Sequence, residues 1–142
     1  MNSKRFLISA AVWAACTALG GAASAEKMVM KIDLTSAAEV PPNNSPGKGT
    51  ADVTFDTATR GLTWKVTYSG LTGPATMAHF HAPAEAGKNA PVVVPFKDPK
   101  SGTEGNATLT ESQAADFLAG KYYINVHTAA HPDGEIRGQV TK

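Results

Sequence analysis

The chain has a single cysteine, Cys16, and it lies within the first twenty residues. Beyond that point no disulfide can staple the fold and no thiolate can act as a nucleophile. Charge of either sign is also scarce as a signal: 13 Lys and Arg stand against 12 Asp and Glu, with no basic run. A nucleic-acid binder would show a basic patch or stripe, so that class is set aside. There is no G-x-x-x-x-G-K-[ST] phosphate loop and no G-x-G-x-x-G. A Ser–His–Asp set could be assembled from pieces, yet no G-x-S-x-G elbow supports it.

The amino terminus reads differently from the rest. Lys4 and Arg5 precede an apolar run from Phe6 to Leu19, then Gly20 and Gly21, and Ala23-Ser24-Ala25 leads into Glu26. A short positive region, a short apolar stretch and an A-x-A site predict a signal peptide over residues 1–25. One exported domain, residues 26–142, then remains, periplasmic or secreted, with no membrane span after cleavage. Spanning needs about 20 apolar residues, which argues against an uncleaved anchor. Trp13-Ala14-Ala15-Cys16 loosely resembles a lipobox, so lipid attachment at Cys16 is a minor alternative.

From residue 27 onward the sequence alternates with a period of two, which sends apolar side chains to one face of a strand. Met28, Met30, Ile32 and Leu34 form one such set; Ala51, Val53 and Phe55 another; Leu62, Trp64, Val66 and Tyr68 the clearest. Thr57 to Gly61 reads as the turn of a hairpin between the last two. Further strands are predicted near 75–82, 91–96, 104–109, 121–128 and 135–141, separated by Gly and Pro clusters. Thr110 and Gln113 have capping-box spacing for one short helix that Gly120 can end. Seven or eight short strands with one helix predict an all-β, Greek-key sandwich or barrel, immunoglobulin-like or Cu/Zn superoxide dismutase-like.

All four histidines fall in two places. Met77, His79 and His81 share one strand face, and Ala78, Phe80 and Ala82 the other, which is expected to face the core. Downstream, Tyr122, Ile124 and Val126 oppose Tyr123, Asn125 and His127, and His131 follows in a turn. If these strands pair, three or four imidazoles converge at one end of the sheet. Imidazole suits Cu, Zn and Ni, and a thioether such as Met77 tilts the choice to Cu(I). Glu135 or Asn125 could hold a ring's second nitrogen. The alternative is a hydrogen-bonded structural cluster. Glu135 and Arg137, two apart on one strand, read first as a surface or cross-strand ion pair.

Glu39-Val40-Pro41-Pro42, Gly49, Ala51, the Gly70-Leu71 turn and Ala78-His79-Phe80-His81 resemble the CHRD domain, named for its occurrence in chordin. The resemblance continues through Pro91-Val92-Val93, Gly120, Tyr122, Asn125-Val126-His127-Thr128 and Gly134-Glu135-Ile136-Arg137-Gly138-Gln139. It implies a secreted or cell-envelope β-sandwich without a general enzymatic activity, and places histidines at His79, His81 and His127. The paired-histidine strand also looks like the copper-ligand strand of Cu/Zn superoxide dismutase, a likeness at the level of fold. The expectation is therefore a non-enzymatic, exported copper-binding sandwich, with zinc as the lesser choice. His79, His81 and His127 are the expected ligands, with Met77 or His131 completing the set. The rivals are an adhesion module for an envelope or extracellular protein and, more remotely, a superoxide dismutase-like enzyme.

Overall fold

The computed structural model describes residues 25–142. The signal-peptide reading, apart from Ala25, and Cys16 fall outside the described residues. Strand β1 (Lys27–Thr35) buries every second residue, Met28, Met30, Ile32 and Leu34, as its alternation requires. It pairs along its whole length with β2 (Lys48–Asp56), which forms the expected hairpin with β3 (Gly61–Ser69). The remaining strands are β4 (Ala75–His81), β5 (Val92–Pro95), β6 (Thr103–Thr108), β7 (Tyr122–Thr128) and β8 (Ile136–Val140). Helix α1 (Glu111–Leu118) begins at the capping box: Gln113 N–H donates to Thr110 Oγ1 and Thr110 N–H to Gln113 Oε1. Gly120, at φ +73°, releases the chain into β7.

The strands run β5-β4-β7-β8-β1-β2-β3-β6, with antiparallel pairings throughout. The order makes two four-stranded halves that meet between β8 and β1, where Thr35 pairs with Arg137. The halves curl onto one another into a nearly closed sandwich. Trp64 of β3 meets Phe80 of β4 edge-on at 5.2 Å and stacks on Phe96 at 5.0 Å. Phe117 of α1 seals one end of the core, 4.7 Å from Phe55 and 5.2 Å from Tyr122. Such aromatic contacts add to the burial that drives packing.

Two consequences position the site. Ala78, Phe80 and Ala82 lie in the core, so Met77, His79 and His81 of β4 point to the outside of the sandwich. In a plain sandwich that outer face would be wet. Here all seven residues of β7 are buried, on both faces.

The junction of the halves depends on Gly138. A side chain there would run into the carbonyl oxygen of Asp33 and sit 2.6 Å from Ile32 Cγ2. Gly138→Ala is expected to lower stability by about 1–3 kcal/mol through overpacking, read as a fall in thermal midpoint. An unchanged midpoint would show that β8 and β1 tolerate separation.

Candidate metal centre

Register lays out the outer face of β4, β7 and β8 as a grid. Met77 stands opposite His127, His79 opposite Asn125 and then Arg137, and His81 opposite Tyr123 and then Gln139. Side chains directly opposite one another have Cβ atoms about 4.5–5.5 Å apart. The pairing of β4 with β7 therefore gathers imidazoles that are 48 residues apart in sequence.

One nitrogen from each of His79, His81 and His127 lies within 4.8 Å of the others. His79 Nδ1 is 3.2 Å from His127 Nε2. A tetrahedral ion with metal–nitrogen bonds of about 2.0–2.1 Å holds its nitrogens about 3.3 Å apart. The first pair is already at that spacing, and His79 is the least buried of the three.

The β4–β5 and β7–β8 connections fold over this face and fix the rings. His81 Nδ1 lies 2.9 Å from the carbonyl oxygen of Ala90, and His127 Nδ1 lies 2.8 Å from that of Pro132. A carbonyl can only accept, so both Nδ1 atoms carry the hydrogen. Both Nε2 lone pairs are left free and point inward. Each is 2.9 Å from Asn125 Oδ1.

Burial pushes the His79 pKa down to about 4, helped by His127 and His81. His81 is lowered as well, by burial against the opposing hydrogen bonds to Ala90 and Asn125. Burial penalises the charged ring, so both are neutral at neutral pH, the form that binds metal.

The support behind the histidines is itself buried. The Tyr123 ring lies parallel to His81 at 4.7 Å, with an interplanar angle of 3°. The Arg137 guanidinium sits 3.4 Å from the centre of the Tyr123 ring. Arg137, 1% exposed, donates to Asn89 Oδ1 at 2.9 Å and to the Lys88 carbonyl at 2.6 Å. These bonds clamp the loop that delivers Ala90. Glu39 is buried nearby, and burial raises its pKa to about 7 against the attraction of Arg137.

Glu135 and Arg137 are thus no surface ion pair. Both are buried, and each has separate partners. Glu135 accepts from the Thr72 N–H at 2.7 Å, from the Thr72 hydroxyl at 2.8 Å, and from the hydroxyls of Ser45 and Thr128. Burial alone would raise its pKa; those hydrogen bonds outweigh it and hold the carboxyl below its ordinary range. It ties together loops, and Asn125, not Glu135, reaches the imidazoles.

Of the five predicted ligands, His79, His81 and His127 come together. Met77 is 48% exposed at the rim, opposite His127 in register. His131 does not join the group: it lies on a shallow cleft beside Pro41, Pro42 and Asp133. The turn that carries it supplies the Pro132 carbonyl instead. Tyr123, Arg137 and Glu39 were missed as supports, although Tyr123 shares the alternating face that holds Asn125 and His127.

The family model for the CHRD domain matches residues 30–140, and the chain belongs to the CHRD family. No curated protein and no solved structure matches it.

Glu135 offers a direct test of the loop anchor. Its folded-state pKa is depressed, so its stabilisation is complete above the ordinary value of 4.5 and lost as pH falls through the lower native value. Glu135→Gln should cost about 1–3 kcal/mol at pH 7, with the gap to wild type narrowing below pH 4.5. A pH-independent gap would contradict the role of the carboxylate charge.

Proposed function

We propose that this CHRD-domain protein binds a transition-metal ion, copper ahead of zinc, through His79, His81 and His127. The role is metal handling or buffering, without catalysis, in the periplasm or outside the cell. The observation that carries the reading is the preset tautomer: two inward Nε2 lone pairs with their Nδ1 hydrogens already committed to backbone carbonyls. Metal-bound histidines characteristically have the second ring nitrogen held in this way. The preference for copper follows from the Irving–Williams order, in which Cu(II) exceeds Zn(II) at a given nitrogen and oxygen site. Export is supported by the charged, apolar and A-x-A sequence of the amino terminus.

A second reading rests on the 3.2 Å approach of His79 Nδ1 to His127 Nε2. As a hydrogen bond it would make the cluster a structural tie, in an interaction module for an envelope or extracellular protein.

The two readings separate on metal titration. Cu(II) should bind at one equivalent and raise the thermal midpoint, since a ligand at 100 times its Kd stabilises the folded state by about 2.7 kcal/mol. The double replacement His79→Ala with His81→Ala should abolish both effects, while His131→Ala should keep them. A midpoint that ignores copper and zinc would leave the structural tie standing.

A further inference from the structure

Asn125 lies at the centre of the grid, 2% exposed, and its surroundings conflict if the three imidazoles are all that the site contains. Both Nε2 atoms facing Oδ1 are acceptors, because His81 Nδ1–H and His127 Nδ1–H are engaged with Ala90 and Pro132. Oδ1 is an acceptor too, 2.9 Å from each. Three acceptor atoms are therefore packed together out of water. A buried polar atom without a complementary partner is destabilising.

Turning the amide over does not relieve this. The Asn125 Nδ2 side faces the carbonyl of Asp133 at 3.5 Å. It also faces the Glu39 carboxyl: a Cβ built on Gly134 would touch Glu39 Oε1 and Asn125 Nδ2 together. Glu39 Oε1 is buried and has no hydrogen-bond partner. A reversed amide would place its oxygen against the Asp133 carbonyl, which can only accept, whereas Glu39, with a pKa of about 7, can also donate. The Asp133 carbonyl thus favours the NH₂ group outward and Oδ1 toward the imidazoles. A His79 Nδ1–H can donate to His127 Nε2, which satisfies one lone pair. The meeting of His81 Nε2 with Oδ1 remains.

A cation resolves every part of this conflict at once. Building on the metal-binding reading above, we infer that Asn125 Oδ1 is the fourth donor to the ion, giving three imidazole nitrogens and one amide oxygen. Oδ1 lies 2.9 Å from each of the two Nε2 atoms, shorter than the edge of about 3.3 Å of a tetrahedral site, so an ion would spread these donors slightly on entering. A carbonyl oxygen is a hard donor, so this set prefers the divalent ion, Cu(II) or Zn(II), over Cu(I). Asn125 is in this sense a specificity-determining residue, and the Asp133 carbonyl orients it.

The test measures Cu(II) and Cu(I) affinities by chelator competition, and the Cu(II)/Cu(I) midpoint potential, in the wild type, Asn125→Leu and Asn125→Asp. Asn125→Leu should weaken Cu(II) binding at least tenfold while leaving Cu(I) affinity nearly unchanged. The potential then rises by about 59 mV for each tenfold change in the affinity ratio. Asn125→Asp keeps an oxygen donor and adds charge, so it should tighten Cu(II) binding and lower the potential. If the wild type binds copper and both variants show its affinities and potential, Asn125 is not a donor and the inference fails. Should Asn125→Leu not fold, Asn125→Asp alone decides by the same criterion. A wild-type protein that binds neither ion overturns the metal-binding reading itself, a separate outcome.

Discussion

Ala90 and Pro132 each present a carbonyl oxygen to an imidazole Nδ1, and the chemistry of the outer face depends on those two hydrogen bonds. They commit one nitrogen of each ring and aim the other inward, before any ligand is considered. The backbone geometry that supplies them comes from the β4–β5 and β7–β8 loops. Both loops are pinned elsewhere: one by Arg137 through Asn89 and Lys88, the other beside Glu135 through Thr128. The tautomers are therefore set by the fold, not by the histidines alone.

This arrangement gives the small domain two interiors of different kinds. The inner one is apolar, built on Trp64, Phe80, Phe55 and Phe117. The outer one is polar, and buried polar groups are tolerated only when their partners are complete. Glu135 meets that condition with four donors. Arg137 meets it with two acceptors and the face of Tyr123. Asn125 and the three imidazoles do not, since acceptors face acceptors. This frustrated region is the place where a cation would fit.

Much of the architecture was legible in the sequence because period-two alternation is a direct consequence of strand geometry. Met28 to Leu34 and Leu62 to Val66 are buried as alternation predicts, and the Thr110–Gln113 box starts the helix where its spacing places it. The histidine triad was legible for the same reason: the alternating sets 77/79/81 and 123/125/127 each define a face, and pairing brings the faces together. Alternation marks faces, however, and says nothing of what covers them. Glu135 and Arg137 look like a surface pair until the loops near Asn89 and Thr72 close over them. His131 could not be separated from the ligands by spacing, because its turn folds to offer a backbone carbonyl and not its ring. The Tyr123 stack and Glu39 depend on contacts distant in sequence, which no local pattern encodes.

The most direct measurement is the nitrogen-15 spectrum of the imidazole rings during titration with Zn(II), a diamagnetic probe of the same site. The proposed centre predicts that Nε2 of His81 and His127 takes the coordination shift, while their Nδ1 atoms stay protonated and bonded to Ala90 and Pro132. Ring nitrogens that do not respond to the metal, or coordination appearing at Nδ1 of His81 or His127, would contradict it.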